Sequence, residues 1–284
     1  MTTLTTPALS TSPTTRNGVT WSRAVRSEWI KFWSVRSTVW TLLSGVLVIP
    51  FIGMMISLVV TGDVTPQMDQ GGGGGPGARL GGGSPLELSL SAVDFGVLIV
   101  GVLGVLVGSR EYSTGQIRTT LQAVPHRLTV LGAKALVTGS VVLVAMLVAV
   151  FVAFFGGQMI LSSAGHASAS ITDSGAAQAL LGAAFYLAGV SLIGVALGFL
   201  LRSTAGAIGT LVAGLMIVPG ILGLVLPSSW ARVVDYLPPN AADAMRGVSN
   251  YSGSLGAWAG LLVFVGWVAV LIAGAGLVLK RRDA

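Results

Sequence analysis

Six apolar runs dominate this chain, at about residues 37–60, 92–109, 135–156, 176–201, 205–226 and 255–279. Each has about 18–26 residues, enough to cross a ~30 Å hydrocarbon core at ~1.5 Å per residue. Lipid offers no hydrogen bonds, so each run must satisfy its backbone internally and is expected to be a helix. The predicted fold is therefore an all-α polytopic membrane protein with six transmembrane helices. Only 9% of the 284 residues are charged, against about 25% in a soluble domain. The third run can extend past Gln158 to Leu161. The fourth and fifth are separated only by Arg202–Thr204, where Arg202 would pin the hairpin at the interface.

Charge sets the expected orientation. Of the sixteen Lys and Arg, all but Arg79, Arg232 and Arg246 lie in the N-terminal segment, the 109–134 loop, the 202–204 turn or the C-terminus. Basic loops stay on the cytoplasmic side. Both termini and the 109–134 loop are thus expected in the cytoplasm, in a plasma-membrane protein. The acids run the other way, with Glu28, Glu111 and Asp283 inside and the rest outside. The net charge of +6 is a topology signal and implies no nucleic-acid partner.

Residues 1–20 are rich in Thr, Ser and Pro and read as a disordered cytoplasmic tail. No signal-peptide pattern is present, because no short apolar segment follows a basic start. In 21–36 the residues Trp21, Val25, Trp29, Phe32 and Trp33 recur at helical spacing, while Arg23, Arg26, Ser27 and Lys31 lie mostly off that stripe. Trp and basic residues together suit the headgroup layer. An amphipathic interfacial helix carrying Trp21, Trp29 and Trp33 is expected, the alternative being a frayed start of the first span.

The 109–134 loop carries helix signals of its own. Ser113 and Gln116 have capping-box spacing, Ile117, Leu121 and Val124 form an apolar stripe, and Pro125 ends the segment. A short cytoplasmic helix between spans 2 and 3 is predicted, suited to docking a partner.

Reactive chemistry is sparse. There is no cysteine, hence no disulfide and no thiol nucleophile. The Gly-rich loop at 61–91 lacks G-x-x-x-x-G-K-[ST] and reads as a flexible linker rather than a phosphate cradle. His166 with Asp173 is a weak candidate metal pair, read as solvated loop residues instead. Ser191 has no nearby base in the sequence and is read as a helix-packing hydroxyl. In the outer segment 227–254, Trp230, Val233, Val234 and Leu237 form a short apolar face, Pro238-Pro239 break the chain, and Asn240 with Asp243 opens another turn of helix. Three G-x-x-x-G pairs, Gly104/Gly108, Gly194/Gly198 and Gly256/Gly260, mark close helix contacts within or between protomers. No ionisable residue falls near the middle of a predicted span. That argues against proton coupling and places the source of any work outside the spans.

Across 110–134, the elements Arg110-Glu111, Ser113-Thr114-Gly115, Ile117-Arg118, Leu121, Pro125 with Arg127, and Lys134 resemble the permease subunits of ABC-2 type ABC transporters. Ser27-Glu28-Trp29-Ile30-Lys31 before the first span and Tyr236-Leu237-Pro238-Pro239-Asn240-Ala241 before the last are similar to that family too. The likeness makes 21–284 a single ABC-2 type transmembrane domain. It implies a permease that exports a small or amphiphilic molecule, pairs with itself or a related permease, contacts membrane lipids, and is not itself an enzyme. ATP would be bound and hydrolysed on a separate ATPase subunit, with no cofactor on this chain. The resemblance also implies that Glu111, Gly115, Ile117, Arg118, Leu121 and Pro125 couple the two, as against a solvated loop whose charges serve only topology. Glu111 would anchor the loop through charged contacts, a basic residue of the N-terminal helix being one candidate partner. The competing expectations are an ion- or proton-coupled carrier acting alone and a non-transporting assembly or sensory partner.

Overall fold

The computed structural model describes residues 20–62, 84–113, 115, 127–227, 230–247 and 255–281. Among them there are helices and no strand. In chain order they are α1 (Trp21–Ser34), α2 (Arg36–Val60), α3 (Pro85–Leu90), α4 (Val93–Ser113), α5 (Arg127–Ser163) and α6 (Ala176–Leu201). Next come α7 (Thr204–Val212), a π-helical turn (Ala213–Ile217), α8 (Val218–Val225), α9 (Ala231–Asp235), α10 (Pro238–Arg246) and α11 (Ala257–Arg281). Six stretches are long and apolar enough to cross a membrane: Arg36–Val60, Pro85–Tyr112, Leu128–Ser163, Ala176–Leu201, Thr204–Val225 and Ala257–Arg281.

Helix α6 is the axis of the bundle, buried along nearly its whole length against α4, α5, α7, α10 and α11. Glycine lets α4 come closest. A Cβ at Gly104 would strike the carbonyl oxygen of Ser191, and one at Gly108 that of Val195. From the other side, a Cβ at Gly198 would lie 2.7 Å from the Ser109 nitrogen. Two of the three G-x-x-x-G pairs thus face each other within one chain. Such backbone proximity supplies the van der Waals contact that holds helices together where no hydrophobic drive exists. A Cβ at Gly260 of the third pair would lie 2.5 Å from the Ala241 carbonyl oxygen, whereas nothing lies within 4 Å of a Cβ at Gly256. Ser191 is fully buried, and its hydroxyl donates to the Ala188 carbonyl at 2.7 Å.

Several boundaries differ from the expected ones. Helix α5 starts at Arg127, eight residues before the predicted run, because Leu128, Val130 and Leu131 carry helical apolar spacing beyond the purely apolar window. Its other end reaches Ser163, so the run does extend past Gln158 and ends two residues beyond Leu161. Residues 84–91, expected in the Gly-rich linker, hold α3. Ser84 and Glu87 form a reciprocal capping box there, with Pro85 in the first turn. Pro238 and Pro239 begin α10 rather than breaking the chain, since proline lacks only an N–H that the first turn leaves unpaired anyway. The π turn precedes Pro219, whose ring and missing N–H disturb the α-helical ladder one turn back. The predicted helix between spans 2 and 3 lies outside the described residues. Ser113 is the last residue of α4.

Candidate functional site: a buried charge square at the root of the 114–126 segment

Val35 adopts an extended conformation (φ −94°, ψ 106°) and separates α1 from α2. The N-terminal segment is therefore a helix of its own and not the first turns of α2. Its inward stripe is Ala24, Glu28 and Phe32, at i, i+4 and i+8. The tryptophans expected on the apolar face flank this stripe, and Trp21, Trp29 and Trp33 remain about half exposed. Trp21 lies over Gly132 of α5, where a Cβ would stand 2.8 Å from its ring.

The stripe carries a carboxylate inward because two lysines await it. Lys134 Nζ donates to Glu28 Oε2 at 2.7 Å and to Glu111 Oε1 at 3.1 Å. Lys31 Nζ donates to Glu28 Oε1 at 2.7 Å and to Glu111 Oε1 at 3.1 Å. Two acids and two bases alternate around a square of zero net charge. Glu28, Glu111 and Lys134 are each less than a tenth exposed, while the Lys31 side chain remains 41% exposed. Burial pulls the Lys31 ammonium down, but its hydrogen bond to Glu28 and the charges of Glu28 and Glu111 outweigh this, so its pKa ends above the ordinary lysine value. Removing one member of such a buried set leaves an uncompensated charge, at a cost of about 3–5 kcal/mol.

The square joins three elements: α1, the last turn of α4 and the second turn of α5. The last two bracket segment 114–126. Beside it lies a cavity of about 240 Å³ between α1, α2, α4 and α5. Glu111 Oε2 and Thr138 Oγ1 are buried there without a hydrogen-bond partner. A second link sits nearby. The Ser109 hydroxyl lies 2.8 Å from that of Thr204, and Arg202, left-handed at φ 51°, stacks over the Tyr112 ring at 5.1 Å.

Of the residues singled out from sequence, Glu111 enters the square. Gly115 follows α4 with φ 72°, a left-handed position that suits glycine. Ile117, Arg118, Leu121 and Pro125 lie outside the described residues. Glu28, Lys31 and Lys134 were visible as family-like residues but not as one cluster, since Glu28 and Lys134 are 106 positions apart.

The opposite end has two polar clusters of its own. Gln158 donates to the Pro85 carbonyl at 2.8 Å and to Ser89 Oγ at 2.9 Å, and accepts from the Ala169 N–H at 2.7 Å. Arg246, only 7% exposed, bonds Asp243, lies 4.0 Å from Asp94 Oδ1 and stacks on Tyr186 at 5.3 Å. Sequence placed Arg246 in an outer loop. In the fold, α10 tucks against the first three turns of α6, with Gly182 letting the arginine backbone approach. A buried cation thus stands beside residues 178–186 of a span, although none stands on the span itself. The Asp173 carboxylate accepts from the Ser170 N–H at 2.7 Å. Among the described residues, no three His, Asp or Glu side chains gather as metal ligands.

Six helices long and apolar enough to cross a bilayer, with polar clusters at both ends, give the chain the length and composition of a helical membrane protein. Compared with known proteins, the chain matches no family model and no curated protein.

Proposed function

We propose that this chain is the membrane-spanning subunit of an ATP-driven exporter of the ABC-2 type, paired with a second permease and worked by a separate ATPase. The charge square carries this reading. It fixes α1, α4 and α5 to one another at the root of segment 114–126, so a push on that segment moves three helices together. A loop serving topology alone needs no buried ion set at its base. Under this reading α1 lies in the headgroup layer of the cytoplasmic leaflet, with Trp21, Trp29 and Trp33 as anchors. The segment between α4 and α5 is the coupling helix, Ile117 and Leu121 supply apolar contacts, and Arg118 meets acidic surface on the ATPase.

The test is co-purification followed by transport in vesicles. An ATPase chain should accompany the protein, and export should require ATP. Arg118→Glu should leave insertion intact and ATP hydrolysis running while transport stops. Transport without ATP, with no ATPase recovered, would overturn the proposal. It would favour the carrier reading.

A further inference from the structure

Helices α5 and α11 flank α6 and part from each other near mid-span. At the end that carries the charge square they touch, for a Cβ at Gly276 would stand 3.0 Å from Leu128 Cδ2. Further along they leave a groove of about 330 Å³. Its walls come from residues 135–143 of α5 and 264–268 of α11, and its floor from 185–192 of α6. Glycine shapes it. Gly139 and Gly189 bring no side chain into it, and a Cβ at Gly189 would strike the Phe264 ring.

The lining calls for hydrocarbon. Its one polar side chain is Ser140, whose hydroxyl donates to the Val137 carbonyl at 3.1 Å. No charge lines the groove, and a charged or polar ligand would be dehydrated there without compensation. Leu136 and Val265 on the rims stay about half exposed, so the groove opens on the outside of the bundle. Its floor straddles the midpoint of Ala176–Leu201. With the spans in a bilayer, it sits ~15 Å from either headgroup layer, half of a ~30 Å hydrocarbon core.

Size decides the occupant. A second copy would bring a helix ~10–12 Å across, too wide for a groove of this volume. A stable interface also takes ~20–30 residues a side, against the twelve that line this groove. A slender chain fits. An empty groove forfeits dispersion contacts along its lining, and in a bilayer such packing is what holds an apolar partner. A chain arriving from a headgroup must first cover ~15 Å, about twelve methylenes, so only the far part of a long chain reaches it.

We propose that this groove binds the terminal part of a phospholipid acyl chain. The site needs the spans to lie in a bilayer but stands independently of the transport proposal, because it is read out by labelling.

The full chain is placed in phosphatidylcholine nanodiscs with a minority of phosphatidylcholine carrying a diazirine, either near the terminal methyl of one chain or near its carbonyl. On irradiation, the terminal probe should mark 135–143, 185–192 and 264–268 well above the exposed apolar residues Val148 and Leu262 outside the groove. The carbonyl probe should not mark the groove. Ser140→Phe/Val265→Phe fills it from two exposed positions. It should cut labelling of 185–192 about tenfold, the effect of losing contact for about two methylenes. Val148→Phe should leave that labelling unchanged. Groove labelling no stronger than at Val148 and Leu262 would make it ordinary lipid-facing surface. Unchanged labelling in the double variant would place the chain elsewhere. A disulfide between two chains that each carry Val265→Cys would give the groove to a second copy. Each of these results overturns the proposal.

Discussion

Lys134 Nζ lies 2.7 Å from Glu28 Oε2, and through this contact the N-terminal helix is held by the second turn of α5. Both side chains are nearly inaccessible. Lys134→Met should therefore cost about 3–5 kcal/mol, seen as a lower melting temperature in detergent and faster proteolysis within α1. Adding Glu28→Gln removes the stranded carboxylate and should recover much of the loss. A double variant as unstable as the sum of the two singles would show that the residues do not act as a pair.

The alkaline limit of this joint follows from Lys31. Its folded-state pKa is raised above 10.5, burial being outweighed by Glu28 and Glu111. A raised lysine pKa contributes stability that is fully present below 10.5 and is lost as pH rises through the folded value. Protease resistance of α1 should hold from neutral pH to about 10.5 and decline above it. Lys31→Met should remove that alkaline decline from a lower starting level. An identical decline in the variant would place the titration elsewhere.

Two glycines with the same sequence signature should behave oppositely. Gly104→Ala forces a methyl onto the Ser191 carbonyl, which can yield only if α4 and α6 separate. The penalty should reach or exceed the ~1–3 kcal/mol typical of overpacking. Gly256→Ala meets nothing within 4 Å and should leave the melting temperature unchanged. Equal effects would mean that the α4–α6 contact is looser than its geometry.

Arg246 should hold α10 in place. The chain has no cysteine, so a single Ala242→Cys reports cleanly on that helix. Ala242 is fully buried, and the thiol should resist a membrane-impermeant maleimide. In an Arg246→Met background the same thiol should become reactive as α10 loosens. Continued protection would assign the anchoring to Gly260 and the alanine contacts instead.

Six long helices were legible in the sequence because lipid imposes one requirement on every spanning segment, and apolar length records it locally. The glycine pairs were legible as close contacts for a similar reason. Which glycines meet was not, since Gly104 and Gly256 carry the same signature and only packing shows that one touches a backbone and the other does not. Helix ends slipped where polar residues continue a helix: α5 starts at Arg127, and Ser84 with Glu87 caps α3 inside an apparent linker.

By itself, the sequence determined the helical class, the apolar spans, the separation of basic from acidic loops and the absence of thiol chemistry. Each of these depends on residues near one another in the chain. Tertiary structure alone decided that Glu28, Lys31, Glu111 and Lys134 form one neutral square and that Arg246 is buried. In the sequence, a carboxylate near the end of a span looks the same whether solvated or enclosed. What separates the two is the cost of dehydrating a charge, and that cost is met only where a distant segment brings the opposite charge within hydrogen-bonding distance.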